Sequence, residues 1–243
     1  MHATRPAPLH ATMKVRAYSE KRLGDPQALA HLFESRNGVY VFSRDRELAE
    51  VFRDFNWDGY SLRPETLEWL AHILEKEKPS RVVEFGSGYS TFVMCTVLQR
   101  LHGPTGFRLL SFEQDEKFLQ ETEKRIQSLP GSESCRVLHA PLAPVMVAGQ
   151  TTACYEITAR VKEHLEWLGK AQFVFIDGPL ADGPCRYNTL PAVRSYLAPG
   201  VRFAVDDGLR EKELFVGSLW EREGIHVDGV LTIGKGIMVG RLD

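Results

Sequence analysis

From Pro64 onward the chain alternates between two kinds of apolar spacing. Leu67, Leu70, Ala71 and Leu74 recur at helical intervals behind a proline suited to a first helical turn, and Pro79 stops the run. Arg81 to Phe85 then has the short, nearly continuous apolar character of a buried strand. The alternation repeats. A helix carrying Phe92, Val93, Thr96, Val97 and Leu101 precedes a strand over Phe107 to Glu113; a helix over Asp115 to Leu129, striped by Phe118, Leu119, Thr122 and Ile126, precedes a short strand over Arg136 to His139. A connection containing Pro and Ala leads to a helix with Ile157, Val161, Leu165 and Leu168, then to the strand Phe173 to Ile176. A further helix around Leu190, Val193 and Leu197 is expected to end at Pro199-Gly200, before a strand over Val201 to Val205. A helix over Glu211 to Arg222 and two closing strands, Ile225 to Thr232 and Gly236 to Arg241, complete the pattern.

Seven strands separated in this way predict an α/β fold: a Rossmann-like, mostly parallel sheet with helices on both faces. The last two strands are joined by too short a link for a crossover, so the last strand is expected to run antiparallel. This domain spans residues 61–243. Residues 1–60 break the rhythm, with a helix predicted near Gln27 to Ser35 and a strand-like run Val39-Tyr40-Val41-Phe42. They read as an N-terminal extension that packs on the domain or covers it as a lid.

Composition narrows the classes of function. The 243 residues carry 30 basic and 32 acidic side chains, a formal charge of -2, so no electrostatic pull toward nucleic acid or an anionic membrane is expected. A small-molecule substrate fits better, and a homo-oligomer is compatible with it. Cys95, Cys135, Cys154 and Cys185 are scattered without CxxC or Cys/His spacing, which predicts neither a disulfide framework nor a zinc site and suits a reducing cytoplasm. No signal-peptide core and no run near the roughly 18 apolar residues of a membrane span is present.

In an open α/β sheet, ligands lie beyond the carboxyl ends of the strands at the topological switch point. Carboxylates stand at these ends here: Glu84 near the end of the first strand, Glu113 closing the second, Asp177 after the fourth and Asp206-Asp207 after the fifth. The first junction, VVEFGSGYST (82–91), runs from strand through a Gly-x-Gly turn into helix, letting backbone approach a ligand beside a helix N-terminus. A dinucleotide fingerprint has a third glycine where Thr91 stands. Glu113 lies 25 residues beyond Gly88, where an acid that accepts ribose hydroxyls is expected.

These segments resemble the class I S-adenosylmethionine-dependent methyltransferase family. VVEFGSGYST is similar to its first motif, SFEQD to its ribose-binding motif and FVFIDGP to its fourth-strand motif. The pairing of IDGP with RYNTLPAV, LAPG and AVDDG is most similar to the small-molecule O-methyltransferase-like branch. The resemblance implies that Glu84, Gly86, Gly88 and Ser90 surround the methionine end of S-adenosylmethionine, that Glu113 takes the ribose hydroxyls with Gln114 beside it, and that Ala140 and Leu142 form the adenine-side wall. It also implies that Asp177 contributes to the cofactor site and to catalysis, and that Asp177, Asp206 and Asp207 converge on a divalent cation. Their oxygen ligands suit magnesium, although Asp-Gly sequences are also ordinary turns. His139, Tyr155 and Asp177 are candidate general bases. Arg186, Tyr187 and Arg210 are candidates for recognising an anionic or aromatic acceptor, or are solvated loop residues.

The leading reading is methylation of a small molecule at a hydroxyl oxygen. Two others compete with it. One is an NAD-dependent oxidoreductase, disfavoured by Thr91; the other is a non-catalytic cofactor-binding or interaction module.

Overall fold

The structure, a computed structural model, describes residues 61–243 together with Ser35–Arg36, Val39–Tyr40, Leu48 and Phe52. The two early segments are strands β1 (Ser35–Arg36) and β2 (Val39–Tyr40), paired antiparallel. Ser35, expected at the end of a helix, is therefore in a strand. The rest of that expected helix, and the Val41-Phe42 end of the strand-like run, lie outside the described residues.

The remaining elements are α1 (Pro64–Glu77), β3 (Arg81–Phe85), α2 (Tyr89–His102), β4 (Arg108–Glu113), α3 (Glu116–Ile126) and β5 (Cys135–His139). Strands β6 (Leu142–Val147) and β7 (Gln150–Tyr155) follow, then α4 (Ala159–Leu168), β8 (Ala171–Ile176), α5 (Thr189–Val193), β9 (Leu197–Val205), α6 (Glu211–Arg222), β10 (Ile225–Leu231) and β11 (Ile237–Leu242). Seven strands make the main sheet in the order β10-β11-β9-β8-β3-β4-β5. Strands β9, β8, β3, β4 and β5 pair parallel, whereas β11 is antiparallel to both β9 and β10. The antiparallel last strand expected from the sequence is thus present, wedged between two others.

Alternation along each buried strand divides the core in two. Val82, Phe173 and Phe175 face α1 and α2, where Leu67, Leu70, Leu74, Val93 and Val97 pack. Val83, Phe85, Val174 and Ile176 face α4 and α6, where Leu165, Leu168, Leu214 and Trp220 pack. All of these side chains are buried, so the helices on both faces are held by the apolar stripes that predicted them.

Two local expectations are corrected. The connection after His139 is a β-hairpin, Leu142–Val147 paired with Gln150–Tyr155, closed by Ala148 and Gly149 with φ of 47° and 80°. Both turn residues have positive φ, as a tight primed turn demands, and a strand holding Pro144 beside an alanine at positive φ lacks the usual sequence signature. The helix around Leu190 is also shorter than expected. It ends at Val193, a 3-10 turn covers Arg194–Tyr196, and Leu197 begins β9 in register with Ala171. The spacing of Leu190, Val193 and Leu197 continues a helical stripe, but the parallel ladder to β8 provides the backbone partners instead.

Strand β3 has β4 on one side and β8 on the other, so the chain reverses its direction of winding there. The carboxyl ends of these three strands and of β9 frame the site.

Candidate functional site

Gly86, at φ +92°, ends β3 against the start of the loop after β8; a Cβ there would lie 2.7 Å from the Gly178 amide nitrogen. The amides of Asp177 and Gly178 both donate to the Phe85 carbonyl, at 2.8 and 2.6 Å, which draws the two strand ends together. Beyond Gly86 the turn is fixed by polar side chains. The Gly88 amide donates to Thr91 Oγ1 at 3.0 Å, and that hydroxyl donates to Glu84 Oε2 at 2.6 Å. Thr91 therefore performs a task that glycine at this position has no side chain to perform, which explains the departure from the dinucleotide pattern.

Glu84 is fully buried, with Oε1 making no hydrogen bond. Burial pushes its pKa up to about 7 against the lowering influence of the Ser111, Ser90 and Thr91 hydroxyls. Because the folded value lies above the ordinary 4.5, the native state holds the proton more tightly, and stability falls as pH rises from 4.5 through 7. Glu84→Gln is expected to raise the unfolding free energy by about 2–3 kcal/mol at pH 8 and by well under half of that at pH 5, in urea titrations of the cofactor-free protein. An equal gain at both pH values would contradict this account of Glu84.

Glu113 closes β4 and is the organising carboxylate of the turn. Its Oε2 accepts from the Ser87 amide at 2.9 Å and the Ser87 hydroxyl at 3.0 Å; its Oε1 accepts from the Gln114 and Asp115 amides at 2.8 and 3.0 Å. The Ser87 hydroxyl also lies 3.2 Å from Thr122 Oγ1. With one proton and two acceptors, it can turn to Thr122 and leave a carboxylate lone pair to an incoming hydroxyl. Asp115 caps α3 by accepting from the Lys117 and Phe118 amides. Gln114 clamps the loop after β8: its amide nitrogen donates to the Leu180 carbonyl at 3.1 Å and its oxygen accepts from the Leu180 amide at 2.9 Å.

On the other side of β3, Asp177, Asp206 and Asp207 bring one carboxylate oxygen each within 4.8 Å of one another. Burial raises Asp177, with Arg186 opposing; burial and the neighbouring aspartates carry Asp206 up to about 8. Arg186, 3% exposed, threads this cluster. Its Nη1 donates to the Asp206 carbonyl at 2.6 Å, its Nη2 donates to the Asp177 carbonyl and lies 3.3 Å from both Asp177 Oδ1 and Asp207 Oδ2, and its Nε is 3.6 Å from Glu213 Oε1. Arg210 and Lys235 reach Asp207 from outside, at 2.8 and 3.6 Å.

These parts surround a cavity of about 540 Å³, within the range of small-molecule sites. Gly86, Gly88, Ser90, Glu113, Gln114, Asp177 and Asp207 are all on its wall. A family profile described as a methyltransferase domain matches residues 83–208, which is more than half of the chain and includes every one of those seven residues. The chain belongs to this methyltransferase-domain family. No curated protein matches it. Solved structures share the fold of the methyltransferase at low identity. An S-adenosylhomocysteine-bound methyltransferase of Podospora anserina is 15% identical, with a TM-score of 0.57 and 100% of each chain covered. A putative caffeoyl-CoA O-methyltransferase of Staphylococcus aureus is 10% identical, with a TM-score of 0.56, 97% of this chain and 100% of the other covered. An O-methyltransferase of Bacillus cereus bound to S-adenosylhomocysteine is 14% identical, with a TM-score of 0.54 and coverage of 98% and 100%. Family and fold together bear out the class I methyltransferase resemblance.

The methyltransferase cavity leaves five expected site residues off its wall. Glu84 lies beneath the turn and acts on it through Thr91. Ala140 is a fully buried core residue, and Leu142 opens the hairpin and packs on the same core. Asp206 is 1% exposed and takes a 3.5 Å contact from the Thr66 hydroxyl beneath the site. His139, the expected catalytic histidine, has its Nε2 3.1 Å from the Gln114 carbonyl and does not face the cavity. Conversely Phe118, Thr122 and Arg125 of α3, Tyr155 of the hairpin and Lys235 before β11 line the methyltransferase cavity. Helical periodicity marked Phe118 for the core; at 47% exposure it forms part of the rim instead.

Proposed function

We propose that the chain is an S-adenosylmethionine-dependent O-methyltransferase acting on a small molecule, assisted by a divalent cation such as magnesium. The observation that carries this reading is the pairing, in one cavity, of the Glu113-anchored glycine turn with the Asp177 and Asp207 cluster across β3. Two of the similar structures described above are O-methyltransferases and two hold S-adenosylhomocysteine, which supports the cofactor and the oxygen acceptor in this reading.

The residues fit both groups. Ser87 can yield a lone pair of Glu113 to a ribose hydroxyl, and the first turn of α2 presents backbone amides beside Gly88 and Ser90, suited to a carboxylate. Asp207 Oδ1 makes no hydrogen bond, with the Lys235 ammonium 3.6 Å away, and it belongs to a converging set of oxygens of the kind that a hard cation takes. When bound, S-adenosylmethionine supplies an electrophilic methyl group on a sulfonium, and a divalent cation supplies Lewis acidity toward an acceptor hydroxyl. The cation would be held by Asp177, Asp206 and Asp207.

The chain's own work is alignment and proton handling. Glu113 and Gln114 would hold the nucleoside half beside the Leu180 loop, leaving the Asp177 side of the cavity to the acceptor hydroxyl, an arrangement that favours alignment of the two reactants. Asp177, whose carboxyl pKa is raised above its ordinary value by burial, would take the hydroxyl proton as the methyl group passes to the acceptor oxygen, with sulfur keeping the bonding pair. Tyr155 is unsuited to that role because burial holds its phenol well above the ordinary value. Arg210 and Lys235, at the open edge beside Asp207, favour an acceptor bearing negative charge.

The experiment is transfer of labelled methyl from S-adenosylmethionine to a panel of hydroxylated small molecules, run with magnesium and with a chelator. Transfer to oxygen that the chelator abolishes, while S-adenosylhomocysteine binding stays nearly intact, is the expected result. Transfer undiminished by chelation would overturn the role of the cation.

A further inference from the structure

Tyr155 is the last residue of the β6–β7 hairpin, and the sheet edge fixes its ring. Phe85 and Phe112 pack on it with centroids 5.7 and 6.3 Å away, and the side chain is 4% exposed. The hairpin is closed beneath it by the Glu156 amide donating to the Pro141 carbonyl at 2.9 Å. On its outer side the hairpin is tied to the loop after β8, where the Thr152 hydroxyl donates to the Asp182 carbonyl at 2.6 Å. A phenol held this firmly has little freedom to seek a partner.

Its hydroxyl nonetheless has none. Tyr155 Oη makes no hydrogen bond, although the residue is on the cavity wall. A Cβ built on Gly178 would lie 2.5 Å from that oxygen and 3.0 Å from the Gly86 Cα, so Oη sits over the junction where β3 and β8 end. Burial first, and Glu113 next, hold the phenol in its neutral form, which can donate and accept; Arg186 and Asp177 also act on it electrostatically. A buried hydroxyl without a partner is costly, and phenylalanine would fill the same aromatic slot without that cost.

We infer that Tyr155 Oη is a contact for the bound cofactor, meeting the ribosyl-sulfonium segment midway between Glu113 and Asp177. The inference rests on the S-adenosylmethionine reading and adds a residue to it. It gives the hairpin a purpose: the hairpin brings a rigid polar atom beside Gly86 and Gly178 at the edge of the cavity.

The test is Tyr155→Phe in the full chain, read in two ways: calorimetric titration with S-adenosylhomocysteine, and thermal unfolding without any cofactor. The variant is expected to bind about 5–10-fold more weakly, the loss of one hydrogen bond, while its unfolding midpoint without cofactor is unchanged or higher. Equal affinity in the two proteins would overturn the contact, as would a fall in the cofactor-free midpoint, which assigns the hydroxyl a structural task. If the wild-type chain itself does not bind, the cofactor reading fails first and the contact with it.

Discussion

Arg186→Met is expected to lower the unfolding free energy by about 3–5 kcal/mol, the cost of stranding buried charges when their partner is removed. Asp177, Asp207 and Glu213 all lie within 3.6 Å of this guanidinium, and the latter two are nearly inaccessible to water. Arg186 also bonds the backbone carbonyls that follow β8 and β9, so the substitution releases both strand ends that frame the acceptor side. Urea unfolding followed by circular dichroism measures the loss. Adding Glu213→Gln should recover about 1–2 kcal/mol of it, since the Glu213 carboxylate makes no hydrogen bond and is raised by burial against Arg186 and Lys212. A loss under about 1 kcal/mol would mean that the acidic cluster does not depend on Arg186.

Glu113→Ala should weaken S-adenosylmethionine binding by about 100-fold, roughly two charge-assisted hydrogen bonds to ribose hydroxyls. The carboxylate also accepts from three backbone amides, so some stability falls with it and the melting curve must accompany the titration. Affinity reduced less than about fivefold, in a variant that remains folded, would remove Glu113 from the ribose site.

The sequence carried the sheet well because its buried strands and amphipathic helices obey simple periods. Residues 81–85 and 211–222 have the boundaries that their patterns predicted. The carboxylates at strand ends were equally legible: β-strand direction alone sends Glu113, Asp177 and Asp207 to one edge. What escaped was non-local. The hairpin was hidden by Pro144 and by an alanine at positive φ, and with it went the meaning of Tyr155. His139 belongs to the correct edge, but its ring is held by the Gln114 carbonyl, a contact 25 positions away that periodicity cannot express. Arg186 was read as an acceptor-binding candidate, yet most of its bonding is inward, to the acids that the sequence left without a counter-charge.

The central claim is that the cavity between the glycine turn and Asp177 holds an adenosyl sulfonium. Calorimetric titration of the full chain with S-adenosylhomocysteine, with NADH run in parallel, tests it most directly. One site per chain for S-adenosylhomocysteine and no heat from NADH is the result this account requires; binding of NADH alone, or of neither compound, would contradict it.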